Sequence, residues 1–204
     1  MNNTRQNILD KSKFLFNSNG TQATTLRQIA LALNISQGNL NYHFKAKQDI
    51  VEALYFELVN KMDIEMASIT KQVSTLSALY HSAENTMRIF YQYRFLMRDM
   101  YLIFRESKAI KSHYIKLQEL RKVQFRGLFD LMIDKQLLRK EEFSNEYERL
   151  YERMTILGDN WINAFELFKI NQEDPVAYYH NLLFEMIYPY LTNEGKKQFI
   201  DTLD

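Results

Sequence analysis

The chain has 204 residues, 46% of them hydrophobic, with five glycines, two prolines and no cysteine. That length suits one ordinary domain or a small domain joined to a larger one, with enough apolar residues for a real core. The lack of cysteine excludes a disulfide scaffold and a thiolate metal site, and the net charge of +1 points to no partner.

Scarce glycine and proline favour long helices over sheets and turns. The opening MNNTRQNILDKS lacks the apolar core of a signal peptide, and nowhere do about 18 apolar residues run together. A soluble, cytoplasmic protein with no membrane span is the expectation. The even charge hides a split. Residues 1–50 carry six Lys or Arg against Asp10 and Asp49, a balance of +4; the other 154 residues carry 20 basic and 23 acidic groups, a balance of −3. Aromatic residues divide the other way, with four of the 28 in the first 50. A small basic head on a larger aromatic body suggests two jobs, although chance also produces an imbalance of this size.

In chain order, apolar spacing predicts a first helix over about Thr4–Phe16, with Ile8, Leu9, Leu15 and Phe16 at helical spacing and Asn17, Ser18, Asn19 and Gly20 ending it. A second opens at the Thr24–Thr25 cap and buries Leu26, Ile29, Ala30 and Leu33, spaced to share one face. Asn34 tolerates the left-handed conformation that stops a helix. Ser36 caps a short third helix, and Ile35 is placed to staple onto Leu40. From Lys47 a long fourth helix carries Ile50, Val51, Leu54, Tyr55, Leu58, Val59 and Met62 on one stripe, unbroken until the Ser/Thr-rich segment near 68–77. Further helices are predicted over about 76–105, with room for a kink, then 108–137, 144–170, 175–191 and 193–203. Their start signals are Ser144, the pair Asp174–Pro175 and Thr192. No strand alternation, repeat or low-complexity tract interrupts this pattern, so the fold class is all-α.

The stretch LNIS, joining two helices of which the second is short and Ser-capped, matches a helix-turn-helix. In that device the second helix enters the major groove of DNA. Burying Leu40 and Phe44 leaves Gln37, Gly38, Asn39, Asn41 and Tyr42 facing outward, a surface neither apolar nor acidic. Amide side chains both donate and accept, and Asn or Gln can pair with the adenine edge. Gly38 lets the backbone come close to DNA. Thr25, Arg27, Lys45 and Lys47 are placed to meet phosphates, which supply most of the affinity and no sequence preference. The plainer alternative is a helix pair that never touches DNA, with Tyr42 and His43 as ordinary surface or half-buried residues.

The segment TTLRQIALALNISQGNLNYHFKAKQDIV resembles the DNA-binding head of the TetR/AcrR family of bacterial transcriptional regulators. The likeness covers about residues 4–55 and is most specific at GNLNYHFKAK. It implies a homodimer of nine- or ten-helix chains: a three-helix DNA-binding domain, about 1–48, and a larger helical domain for effector binding and dimerisation, about 49–204. It also implies that an effector changes the spacing of the two heads and releases DNA. By position, Thr25 and Arg27 match phosphate contacts and Gln37 and Asn39 match base-facing residues. Tyr42 and His43 match an aromatic–His pair on the DNA backbone, and Lys47 matches the Lys that anchors the fourth helix to phosphate. Three positions depart from the pattern. Asn41 stands where Tyr is usual, Asn34 where Gly is usual, and Ala46 where a Ser/Thr cap is usual, although Asp49 still favours the helix dipole.

In the body, Leu150, Met154, Leu157, Trp161, Ala164, Phe165 and Phe168 form one clean face and Val176, Tyr179, Leu183, Met186 and Tyr190 another. Doubled by a two-fold axis, such faces make a four-helix dimer interface, in which Leu157, Gly158, Trp161, Phe165, Tyr179, Leu183 and Met186 are the candidates; equally, they can fill a monomer's core. The two other long helices carry charge inside apolar stripes. Phe90, Arg94, Arg98, Tyr101, Arg121, Gln124 and Trp161 are therefore candidates for an effector pocket favouring an anionic or strongly hydrogen-bonding ligand. The alternative is that each Arg pairs with a carboxylate such as Asp99 or Asp159, or reaches solvent.

His81, His113 and His180 are too scattered for a metal site, and each reads as a surface or packing residue. No phosphate loop, nucleophile elbow or distinct carboxylate pair points to an enzyme, and no cofactor is expected. The expectation is a ligand-responsive transcriptional repressor on a palindromic operator; the alternative is a helical dimeric adaptor or architectural protein without a small-molecule effector.

Overall fold

The computed structural model describes residues 3–72, 76–168 and 173–203. Among these, eleven α-helices and one 3-10 turn make up the fold, and extended pairing is limited to an isolated antiparallel bridge between Leu138 and Leu191. The all-α expectation holds. The chain divides into two compact units, one formed by the chain up to Lys61 together with Gln92–His113, the other by Met62–Tyr91 and the chain from Tyr114 onward.

In the first unit α1 spans Asn3–Ala23 but is kinked at Gly20 (φ 81°), so its regular run stops at the last residue of the predicted Asn17, Ser18, Asn19 and Gly20 signal and a short turn follows. Asn17 itself does not end the run because its side-chain amide is used elsewhere: Nδ2 donates to the Gln92 carbonyl at 2.8 Å and Oδ1 accepts from the Phe95 amide at 3.1 Å. An amide so occupied does not compete with the helix backbone. Next come α2 (Leu26–Ala32), α3 (Gln37–His43) and α4 (Lys47–Gln72). Ile8, Phe16, Ile29, Leu40, Ile50 and Leu54 are fully buried around them.

The single helix predicted over 76–105 is three helices, α5 (Leu76–Gln92), α6 (Arg94–Arg98) and α7 (Met100–Glu106). The breaks fall where tertiary partners hold a residue off helical geometry. Tyr93 is fully buried, its hydroxyl donating to Glu57 and its ring beneath Lys13 and Lys61 at 4.6 and 5.1 Å. Asp99 lends one carboxylate oxygen to the Thr21 amide (2.9 Å) and hydroxyl (2.6 Å). Residues 73–75 of the Ser/Thr-rich segment, and the end of the helix predicted over 144–170, lie outside the described residues.

The second unit holds α8 (Lys108–Asp134) from Tyr114 onward, α9 (Glu146–Phe168), α10 (Pro175–Glu185) and α11 (Asn193–Leu203). Its core gathers Phe129, Tyr147, Leu150, Phe184 and Phe199, the last two rings stacked 5.1 Å apart. Asp174 caps α10 as expected, accepting from the Val176 and Ala177 amides, but the helix stops at Glu185; Tyr188–Tyr190 form a 3-10 turn around Pro189, which has no N–H to continue the ladder. Ser144 does not start α9. Instead the Glu141 carboxylate accepts from the Tyr147 amide at 3.0 Å, behind a left-handed Asn145. Beside it Glu146 receives both Arg139 nitrogens at 2.7 and 2.9 Å, which, against the opposing effect of burial, pulls its carboxyl down to about 2.

Thr192 caps α11 through the Gly195 amide at 3.1 Å. A Cβ on Gly195 would meet the Leu137 carbonyl oxygen at 2.2 Å. Gly195→Ala is therefore expected to lower stability by about 1–3 kcal/mol through overpacking, read as a fall of several degrees in thermal melting. An unchanged melting temperature would mean that α11 shifts away from Leu137 without cost.

Candidate functional site

The helix-turn-helix is built from local signals that agree with its packing. Thr25 and Gln28 form a reciprocal capping box: Gln28 Oε1 accepts from the Thr25 amide at 2.7 Å, and Thr25 Oγ1 accepts from the Gln28 amide at 3.2 Å. Asn34, at φ 54°, makes the left-handed turn. Ser36 Oγ accepts from the Asn39 amide at 3.1 Å, and Leu40 is completely buried beneath α3.

Gln37, Gly38 and Asn39 are exposed in one run, Tyr42 is 79% exposed, and Arg27 and Lys45 are exposed nearby. His43 is half-buried with its ring edge-on to Tyr42 at 5.2 Å. Asn41 is half-buried, and its side-chain oxygen has no hydrogen-bond partner among the described residues. Lys47 is also half-buried and donates to the Thr21 carbonyl at 2.6 Å, so its ammonium is positioned by the protein itself. Ala46 lacks a capping hydroxyl, yet its amide is satisfied by Asp49 Oδ2 at 2.9 Å, the carboxylate half of a capping box.

A cavity of about 180 Å³ lies within the second unit, lined mainly by Met, aromatic and aliphatic side chains, most of them from α4, α5, α8, α9 and α10. Phe90 and Arg121 of the predicted pocket residues line it, and Gln124 bonds to Arg121 at 2.7 Å without reaching the cavity. Arg94, Arg98 and Tyr101 do not line it. They belong to the first unit, where Arg98 donates to the Phe16 carbonyl at 2.8 Å and Tyr101 is 82% exposed. Trp161 lies in the second unit's core between Tyr91 and Tyr179, outside the cavity lining.

Besides the Tyr151 hydroxyl, the ionisable lining groups are Arg121, Asp159 and His180. Arg121 is buried and paired with the half-exposed Asp63. Asp159 accepts a hydrogen bond from Tyr114, and burial holds its carboxyl above the usual range. His180 is fully buried and held towards the neutral form by the same effect. Neither of its ring nitrogens makes a well-formed hydrogen bond among the described residues, although the Tyr80 backbone lies near enough to favour a proton slightly.

Comparison with known proteins gives these features a family. Residues 8–54 match the model "Bacterial regulatory proteins, tetR family", and residues 57–199 match the TetR model described as "Bacterial transcriptional repressor". This chain is a TetR-family protein. The family is one of transcriptional regulators and not of enzymes.

Its curated relatives include the HTH-type transcriptional regulator AcrR of Shigella flexneri, 38% identical over 52 residues (26% of this chain, 24% of that one), and the regulator QacR of Staphylococcus aureus, 27% identical over 123 residues (57% and 63%). This TetR-family chain thus matches less than two thirds of the length of these relatives. A TetR-family regulator from Marinobacter aquaeolei shares the fold with a TM-score of 0.81 at 23% identity, covering 97% of this chain and 96% of that one. A regulator from Saccharomonospora viridis, solved with choline, shares it at 0.71 and 16% identity, covering 95% and 100%. No helix among the described residues is long and apolar enough to cross a membrane, and no group of three His, Asp or Glu there is gathered to hold a metal ion.

Of the predicted dimer residues in this TetR-family protein, Trp161 and Tyr179 are 1% and 4% exposed and Gly158 and Leu183 line the cavity. Leu157, Phe165 and Met186 are half-buried. The outward stripe of α9 is instead Ile156, Asn160, Asn163 and Leu167. Sequence reasoning treated His180 as a surface or packing residue and Asp159 only as an arginine partner. A signal existed for both: Asp159 follows Tyr151 by eight residues and precedes Ile162 by three, both buried, and His180 lies four residues from buried Val176 and Phe184.

Proposed function

We propose that the chain is a ligand-responsive repressor that binds a palindromic operator as a homodimer through α3 and releases it when a small molecule fills the cavity. The observation that carries this reading is the outward face of α3. Gln37, Gly38 and Asn39 are exposed together, while the helix is capped by Ser36 and anchored by Leu40, neither of which is needed for reading bases. Gly38 has ordinary space around it, its nearest neighbour for an added Cβ being Ser36 Oγ at 3.8 Å. The fold does not demand glycine there, and close approach to a DNA backbone supplies a reason for it.

Effector control is supported by α4, a single 26-residue helix that carries Lys47 at its first turn and the cavity-lining Met62 and Met66 further along. The choline held by the Saccharomonospora relative makes a ligand in this fold reasonable. A ligand preferring the form that does not bind DNA would shift the population by its differential affinity, and by no more. For the homodimer, the outward α9 stripe offers a second copy the exposed apolar side chains of Ile156 and Leu167 with the amides of Asn160 and Asn163 between them.

The test is genomic-fragment selection by the purified protein, followed by footprinting and a salt titration. A palindrome is expected, with half-sites one helical turn, about 34 Å, apart. With Arg27, Lys45 and Lys47 in each head neutralising phosphates, log affinity falls against log salt with a slope of roughly −5. Failure to retard any host fragment at low ionic strength removes the reading.

A further inference from the structure

We propose that the cavity of the second unit takes an organic cation, with its positive centre at Asp159 and a hydrogen-bonding substituent at His180. The proposal rests on the cavity being the effector site and gives that effector a chemical class.

The sign of the site follows from which charges are already compensated. The sequence suggested an anionic or strongly hydrogen-bonding ligand because arginines, Arg121 among them, fall in apolar stripes, but the Arg121 guanidinium is occupied on two sides, by Asp63 and by Gln124 at 2.7 Å. Asp159 stands differently. An ionised carboxylate offers about four acceptor positions, and among the described residues this one takes a hydrogen bond from the Tyr114 hydroxyl and forms no ion pair with any Lys, Arg or His. With Arg121 already paired to Asp63, Asp159 is the lining carboxyl whose charged form has no counterion, and burial accordingly holds it above the usual range. Such a charge is costly in an apolar enclosure, and an arriving cation offsets that cost whereas an arriving anion adds to it.

The walls suit the same ligand. Phe90, Phe125 and Tyr151 present aromatic rings to which a cation is attracted, and Met62, Met66 and Met154 adapt to an irregular apolar body. His180 adds a second, independent observation. The Tyr80 backbone stands near this fully buried imidazole, and the ring still lacks a well-formed partner among the described residues, which leaves a nitrogen open to a ligand in the cavity. Because burial disfavours its protonated form, His180 supplies no competing positive charge.

The experiment compares three compounds with one tail and different heads, phenylbutyl-trimethylammonium, phenylbutanol and phenylbutyrate, by calorimetry on the full-length protein. The ammonium compound is expected to bind about tenfold or more tighter than the other two. Asp159→Asn is expected to remove that advantage while changing phenylbutanol binding less than about threefold. Phenylbutyrate binding tightest, all three binding equally, or none binding overturns the proposal. The ranking is read on the unaltered protein, so it stands even if the variant folds poorly. DNA retardation on the same preparations separates the two readings. Retardation without ammonium binding sinks the cation site alone, and ammonium binding without retardation sinks the repressor alone.

Discussion

Alanine at both Gln37 and Asn39 is expected to leave a protein that folds as well as the parent but no longer distinguishes its operator from scrambled DNA. The two side chains are exposed, and the capping bond of α3 uses the Asn39 backbone amide, not its side chain. Alanine also has the higher helix propensity, so melting should be unchanged or slightly raised. What disappears is the pair of amide groups able to read an adenine edge, each worth about 1–3 kcal/mol of discrimination. Arg27, Lys45 and Lys47 remain, so weak binding that ignores sequence should persist and keep its salt dependence. Competition between operator and scrambled fragments measures the preference directly. A double variant that still prefers the operator tenfold or more would move base reading to other residues.

The second large effect falls on stability. Trp161 is 1% exposed, packed between Tyr91 at 5.8 Å and Tyr179 at 5.4 Å. Its indole N–H has no partner among the described residues, so the loss in Trp161→Ala is a loss of packing and carries no orphaned hydrogen bond. Emptying such a site costs about 3–5 kcal/mol, which for a chain of this length lowers the melting temperature by on the order of 10 °C. Trp161→Phe should recover much of it. Because Trp161 is the only tryptophan, melting must be followed by far-ultraviolet dichroism. The result also decides between two readings of α9. A dimer-contact residue would change the oligomeric state with little effect on monomer stability, whereas a core residue behaves as described.

Between the head and the body, legibility from sequence differs for a physical reason. Thr25, Asn34, Ser36 and Leu40 each act within a few residues of their own position, by capping, turning or stapling, so their spacing is their structure. The breaks at Tyr93 and Asp99 could not be read that way. Their causes, Glu57 and Thr21, lie 36 and 78 residues away. The same distance hid the site's charge. Arg121 was visible as a charge in an apolar stripe, but its partner Asp63 is 58 residues distant, and that pairing takes up the charge on which the expectation of an anionic or strongly hydrogen-bonding ligand partly rested.

The sequence alone determined the helical class, the helix-turn-helix and the polar run Gln37–Asn39, because periodicity, caps and exposure of one helix face are short-range properties. Only the tertiary structure decided that Trp161 and Tyr179 turn inward, that Arg94 and Arg98 are not among the cavity's lining residues, and that Asp159 and His180 are. An apolar or charged stripe states that a face must be covered or compensated; which neighbour does so is settled by packing between elements far apart in the chain.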